Sequence, residues 1–255
     1  MKNILQYVIW TGIYAVLIVP FIVINSTFFP FIVGKAFTFR IIVELLLGLW
    51  LILIIKDKEF RPKFSWLLAC AGLFTLVLLV ADILAVAPYK AFWSNFERME
   101  GWVTIIHLLA YFLVVGSMLK TEKLWQWFLR TIIASPFIYV VYEYFAFLID
   151  KSNHVIAATE GYREYINMTG DRFSGPLGNP IYIAVYFLFL FFFILILWYK
   201  DALVKKEVFK NVLFYVYPLI GLLSFYIVYR TSRGALLGLI GGLQFGFISG
   251  IIGWL

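Results

Sequence analysis

The sequence predicts an all-α fold, a polytopic membrane bundle of about eight transmembrane helices. Of its 255 residues, 64% are hydrophobic and only 14% are charged, and the mean hydropathy is +0.95. Soluble domains are about 45–50% apolar and about 25% charged. This composition therefore excludes an ordinary soluble domain, a disordered chain and a disulfide scaffold. The single cysteine, Cys70, allows no internal disulfide.

Apolar runs of the length that crosses a hydrocarbon core, roughly 20 residues, recur along the whole chain. They are continuous and do not alternate with polar residues, which favours helices over barrel strands. The first run has no small-residue cleavage pattern and is interpreted as a retained helix. We expect a single transmembrane domain over residues 1–255, with spans at 4–24, 37–55, 64–86, 102–119, 124–149, 177–198, 212–229 and 235–255.

The distribution of basic residues predicts a cytoplasmic N-terminus in the cytoplasmic (inner) membrane. In that orientation the inner segments carry ten Lys and two Arg, and the outer segments carry three Lys and six Arg. The inner lysines follow the positive-inside rule, so the net charge of +7 indicates a membrane lipid partner and no nucleic acid. Arginine matches phosphate and carboxylate bidentately, so the outer arginines indicate an anion site. Contact with lipid headgroups or with acidic loop residues would explain any single outer arginine equally well.

Two of the predicted outer segments hold candidate site residues. Segment 87–101 carries Arg98 and Glu100 close together, which indicates either a local ion-pair cluster or the rim of a polar substrate site. The longest segment contains Arg172 and leads through Gly175, Pro176 and Gly178 to Asn179 at the start of the sixth span. Backbone amides at that helix start could bind an anion, or the passage is simply a capped junction.

The strongest physical indication of an anion site is the sequence between the last two spans. Thr231 or Ser232 is suited to cap the last helix. Arg230 and Arg233 would then lie beside the positive end of that helix, where cations are unfavourable unless an anion joins them.

Several ionisable residues fall inside otherwise apolar spans, where charge is costly. Arg40 and Glu44 are four residues apart and are expected to pair along one helix. Asp82 and His107 lie near outer helix ends and could approach the segment holding Arg98. His107 is either a packed, hydrogen-bonded residue or a base. No His and acidic residues show metal-ligand spacing, so no metal is expected.

The last span carries glycines at every fourth position, including Gly238, Gly242 and Gly246. Such small-xxx-small rows let two helices approach closely. The row indicates a helix-packing partner, and it predicts packing rather than chemistry.

Three motifs stand out in the predicted outer segments. They are Phe92-Trp-Ser-Asn-Phe-Glu-Arg-Met-Glu-Gly101, Arg172-Phe-Ser-Gly-Pro-Leu-Gly-Asn-Pro180 and Thr231-Ser-Arg-Gly-Ala235. Together they resemble the O-antigen ligase and O-antigen polymerase superfamily. The spans between them are similar in order and spacing to the N-terminal portion of a family member. The resemblance implies a glycosyltransferase C-like fold, and a chain that lacks the C-terminal part of the family fold.

The resemblance also implies an activity in lipopolysaccharide biosynthesis and the cell envelope. Such enzymes transfer a glycan from an undecaprenyl diphosphate carrier to a glycan, lipid or protein acceptor at the outer face of the membrane, with no cofactor. Arg172, Arg230 and Arg233 match family arginines that bind the diphosphate, and Arg98 is a fourth candidate. Ser232, Asn179, Glu100, Asp82 and His107 are expected as supporting polar residues. The catalytic base is not assigned, because the family histidine lies beyond this region.

Two further hypotheses remain beside the enzyme. A non-catalytic binder or transporter of lipid-linked glycan would use the same arginines without breaking a bond. A structural membrane subunit would use the glycine row as its interface.

Overall fold

The computed structural model describes the backbone of residues 2–24, 26–27, 29–95, 100–153, 175–204 and 208–252. Side chains are described for the same residues apart from 2–3, 138–153, 175 and 247–252. This part of the chain is helical and contains no strand. The predicted all-α class is therefore confirmed.

The described part of the chain contains nine α-helices. They are α1 (Lys2–Val16), α2 (Val33–Lys56), α3 (Trp66–Ile83), α4 (Pro88–Trp93), α5 (Trp102–Met118), α6 (Glu122–Asn153), α7 (Pro180–Trp198), α8 (Val212–Thr231) and α9 (Arg233–Ile252). Each of the predicted spans overlaps one of the longer helices. The short α4 lies within the predicted outer segment 87–101.

Five stretches of the described chain are long and apolar enough to cross a membrane. They are Ile4–Phe21, Val33–Lys56, Trp66–Ile83, Pro180–Leu203 and Val212–Thr231, and the apolar helix α5 is shorter. The protein is thus a membrane protein by the length and composition of its helices, and the count of eight spans stays a prediction.

The helix α3 shows most directly why these helices belong in lipid. Its mean hydropathy is 2.3, yet only 6% of it is buried in the protein. Leu73, Phe74, Leu76 and Val77 are all more than half exposed. Apolar surface this continuous is unfavourable in water and marks a contact with membrane or another apolar surface.

The chain divides into two compact units, residues 1–128 and 129–255. In the first unit, α2 packs against α1 and α5, and α3 packs against α5 and α4. Gly12 on α1 allows the close approach of α2, because a Cβ there would lie 2.5 Å from Leu46 Cδ2. Ile9, Ile13 and Leu53 are fully buried in this unit.

The second unit centres on the pair of helices α7 and α8. The indole Nε1 of Trp198, at the end of α7, donates to the carbonyl of Phe214 near the start of α8 at 3.1 Å, so the two helices form a hairpin. One face of α7, including Ala184, Leu190 and Ile194, is buried in the core of the unit. The last helix, α9, packs on both α7 and α8.

The glycine row of α9 packs against the chain's own helix α7. A Cβ at Gly242 would lie 2.5 Å from the Phe192 ring, and one at Gly238 would lie 3.5 Å from Leu188. A Cβ at Gly246 would meet no atom within 4 Å. At Gly238 and Gly242 the row thus packs against a helix of the same chain. A partner helix at Gly246 stays a prediction.

Candidate functional site: the corner between α8 and α9

A single residue, Ser232, separates α8 from α9. Its extended backbone (φ −152°, ψ 122°) ends α8, and its amide donates to the carbonyl of Val228 at 3.2 Å. Its hydroxyl accepts from the amide of Ala235 at 3.4 Å, which caps α9. The buried hydroxyl of Thr231 instead donates back to the carbonyl of Ile227. Of the two caps that the sequence allowed, the structure selects Ser232.

The two arginines of this corner flank Ser232 and are both exposed. Arg233 is the first residue of α9, where the helix dipole makes a cation unfavourable. Arg230 lies in the last turn of α8, where the same dipole favours a cation. Arg230 therefore belongs to α8, because that helix reaches Thr231, and its position beside the start of α9 stays a prediction. We call residues 230–233 with the start of α9 the α8–α9 corner.

Backbone amides add to the positive potential of the α8–α9 corner. Ser232 accepts from the amides of Ala235 and Leu236, through its hydroxyl and its carbonyl respectively. The amides of Arg233 and Gly234 have no acceptor among the described residues. Such first-turn amides carry the partial positive charge of the helix end.

The start of α7 does not offer amides in the same way. The Asn179 side chain accepts from the amide of Ile181 at 2.8 Å, and its carbonyl accepts from those of Tyr182 and Ile183. Pro180 has no amide hydrogen to offer. Gly178 holds a φ of 70°, which fits the tight passage that the sequence predicted. The junction was predicted to be either an anion site or a capped helix start. The structure agrees with the cap, because Asn179 accepts from the amides of Ile181, Tyr182 and Ile183.

Among the described residues, no hydrogen bond or ion pair joins Glu100 or Asp82 to another predicted site residue. Arg98 and Arg172 lie outside the described residues. Glu100 is exposed before α5, and Asp82 is half-buried in the last turn of α3. Their roles as supporting polar residues stay predictions.

His107 is a hydrogen-bonded residue between α5 and α2. Its Nδ1 lies 2.6 Å from the carbonyl oxygen of Val103, and its Nε2 lies 3.1 Å from Glu44 Oε1. The carbonyl can only accept, so Nδ1 carries a hydrogen. Both ring nitrogens are occupied, which agrees with the packed alternative for this residue.

Arg40 and Glu44 are held by contacts between helices as well as by their own spacing. The guanidinium of Arg40 donates to the hydroxyl of Thr104 on α5 at 2.9 Å, and its residue is only 7% exposed. Glu44 acts electrostatically on Arg40 and is hydrogen-bonded to His107. Both residues of the expected pair thus contact α5, and a direct ion pair between them stays a prediction.

Sequence reasoning missed a second polar cluster, in the second unit. Asp201 is 4% exposed in the π-helical turn Tyr199–Leu203, and one of its carboxylate oxygens accepts from Arg130 and Tyr217. The Asn211 side chain donates to its carbonyl at 2.7 Å. Arg130 has no acidic residue three or four positions away. A lone arginine in an apolar run was the signal that could have predicted a distant partner.

No protein-family model matches the chain, and no curated protein or solved structure is significantly similar to it. Among the described residues, no three His, Cys, Asp or Glu side chains are grouped to hold a metal ion. The fold and the α8–α9 corner define the class: an all-helical membrane protein with an exposed cationic helix junction between two apolar helices.

Proposed function

We propose that the protein is an O-antigen ligase-like membrane glycosyltransferase, or the donor-binding portion of one. It would take a glycan from an undecaprenyl diphosphate carrier to an acceptor at the outer face of the cytoplasmic membrane. The observation that carries this proposal is the α8–α9 corner, with two exposed arginines on either side of the Ser232 cap.

The chemistry of the corner suits a membrane-bound diphosphate. Guanidinium groups bind phosphate oxygens bidentately, and the amides of Arg233 and Gly234 add the positive potential of the α9 helix start. An anion there would remove the unfavourable interaction of Arg233 with the α9 dipole. The apolar helices α8 and α9 leave the corner on either side, so a polyprenyl tail could run along them in lipid.

In transfer, the bond between the sugar anomeric carbon and the diphosphate oxygen breaks, and the acceptor hydroxyl forms the new glycosidic bond. Negative charge grows on the departing diphosphate, and cations fixed beside it stabilise the transition state. In this proposal Arg230 and Arg233 hold that charge, joined by Arg172 from the preceding segment. The acceptor hydroxyl gives its proton to a general base.

One observation favours the second candidate, a non-catalytic binder or transporter of lipid-linked glycan. Both ring nitrogens of His107 are occupied by hydrogen bonds, and the Asn179 side chain is used as a helix cap. Among the predicted supporting residues these two are therefore structural, whereas the arginines of the corner are exposed. Exposed cations are sufficient for binding, whereas transfer also requires a general base.

The test uses the full chain in lipid nanodiscs and labelled undecaprenyl diphosphate as the probe. Arg230→Lys and Arg233→Lys keep the charge but remove the bidentate fork, so each is expected to weaken binding by about tenfold. Lys123→Gln, at an exposed cation of the other unit that lies outside both proposed sites, is the control and should bind as the wild type does. Unchanged binding in the double Arg230→Lys/Arg233→Lys variant overturns the proposal.

A second arm separates the enzyme from the binder. Glycan-loaded carrier is incubated with lipid A core, a growing polymer or a protein acceptor, and the transferred glycan is measured. Transfer that falls with the corner variants supports the glycosyltransferase. Binding that depends on the corner, without transfer to any acceptor, supports the non-catalytic binder.

A further inference from the structure

A groove with a volume of about 300 Å³ lies in the first unit, between the segment before α3 and the end of α5. Its lining is divided by chemistry. Charged side chains form one part, namely Glu59, Arg61, Lys63 and Lys120. Apolar groups form the other part, including Leu68, Phe112 and the open face of Gly116. We call this the cationic groove.

The charged part of the cationic groove has a net charge of +2, from three cations and one carboxylate. Lys120 is fixed, because its Nζ lies 3.1 Å from Glu59 Oε1 and 3.4 Å from the centroid of the Phe60 ring. Arg61 is exposed, and its Nε donates to the carbonyl of Ile54 at 3.2 Å, which orients the guanidinium. Lys63 is exposed beside it. Glu59 balances the charge of Lys120, so the positive charges of Arg61 and Lys63 remain.

Two exposed aromatic residues place the cationic groove at the surface of a membrane. Phe64 and Trp66 are 76% and 78% exposed and meet edge to face, with ring centroids 5.6 Å apart. Such rings are typical of the level of lipid headgroups. Trp66 also begins α3, one of the five helices able to span. The charged part therefore lies at headgroup depth, and the apolar part continues along helices that enter the hydrocarbon.

The apolar part has room for a hydrocarbon chain. A Cβ at Gly116 would meet no atom within 4 Å, and Phe112 lies one turn earlier on α5. Leu68 faces the same groove from α3. A free phosphate ion would use only the cationic part, whereas a phospholipid would use both.

We propose that the cationic groove binds an anionic phospholipid. Its phosphate contacts Arg61 and Lys63, and an acyl chain lies over Gly116 between Phe112 and Leu68. The positive charge of the groove complements a phosphate, and its charged part lies nearer the membrane surface than its apolar part. Basic pockets between transmembrane helices bind anionic headgroups in this way. In the predicted orientation the cationic groove faces the cytoplasmic leaflet, whereas the proposed glycan transfer takes place at the outer face. The lipid site therefore does not rest on the proposed function.

The experiment is native mass spectrometry of the full chain, titrated with phosphatidylglycerol or with zwitterionic phosphatidylcholine. The wild type is expected to retain phosphatidylglycerol preferentially. Arg61→Gln/Lys63→Gln should lower its affinity by roughly thirtyfold, since each basic residue at a membrane surface contributes to the attraction. Lys56→Gln/Lys58→Gln removes the same charge from exposed residues outside the groove and should change little.

Two further measurements keep the proposal falsifiable. Gly116→Leu fills the apolar part without changing charge and should also weaken binding, while thermal unfolding without added lipid shows that the variant is folded. Equal losses in Arg61→Gln/Lys63→Gln and Lys56→Gln/Lys58→Gln would mean diffuse surface attraction and overturn the site. Displacement of the lipid by inorganic phosphate, with no effect of Gly116→Leu, would identify a phosphate ion site and overturn the lipid.

Discussion

Arg130 and Asp201, 71 positions apart in the chain, are joined by two hydrogen bonds to one oxygen. Arg130 Nη2 lies 2.7 Å and Nε lies 3.2 Å from Asp201 Oδ2. The phenol of Tyr217 donates to that oxygen at 2.7 Å. Three donors on one buried carboxylate tie α6 and α8 to the turn that ends α7. This cluster holds the unit that carries the α8–α9 corner.

Removing the carboxylate charge at position 201 is expected to destabilise the second unit. Asp201→Ala leaves the Arg130 guanidinium without its counter-charge and should cost about 3 kcal/mol of unfolding free energy. Tyr217→Phe removes one neutral donor and should cost about 1 kcal/mol. Glu100→Gln changes an exposed carboxylate and serves as the control. Denaturant unfolding in detergent measures the stability of all three variants. Equal stability of Asp201→Ala and the wild type would show that the cluster does not stabilise the second unit.

Gly101 is expected to tolerate no side chain. A Cβ there would collide with the carbonyl oxygens of Phe92 and Ala91, because α4 folds back onto the start of α5. Phe92 stacks on Trp102 at this contact, with ring centroids 5.3 Å apart. Gly101→Ala should therefore lower the midpoint of thermal unfolding. Gly72→Ala is the matched control, since a Cβ at Gly72 meets no atom within 4 Å. A similar unfolding midpoint in both variants would show that α4 can move away from position 101 without loss of stability.

Leucine at Gly242 and Gly246 should separate folding from association. Gly242→Leu is expected to lower stability, because its side chain would overlap the Phe192 ring of α7. Gly246→Leu has space and should leave stability unchanged. If a partner helix packs at Gly246, this variant alone should lose the higher-mass species in light scattering. Equal stability of the two variants would mean that α7 does not pack on the row as described.

Glu44 and His107 are expected to be energetically coupled. Their side chains meet at 3.1 Å across α2 and α5. A double-mutant cycle with Glu44→Gln and His107→Phe should give a coupling energy of at least about 0.5 kcal/mol, as residues in direct contact do. Additive effects on unfolding free energy would show that the hydrogen bond contributes nothing to the packing of the two helices.

The positions of the helices were largely predictable, and the contacts of single polar residues were only partly so. Apolar runs define helix centres because lipid requires each backbone hydrogen bond to be made within the segment. Helix ends depend on local geometry. Between Thr231 and Ser232 the sequence left the cap open, since both hydroxyls are chemically competent. The extended backbone at Ser232 makes this residue the cap. Because α8 continues to Thr231, Arg230 lies on the preceding helix.

Composition and periodicity alone determined that this is an all-helical membrane protein, that its helices are apolar on most faces, and that α9 packs closely through glycine. These are local properties, readable from residue types at fixed spacing. Tertiary structure alone decided that Asp201 meets Arg130, that Glu44 meets His107, that α7 covers Gly238 and Gly242, and that cations and apolar groups line one groove beside α3. Such contacts join residues far apart in the chain, and they follow from which helix faces pack together.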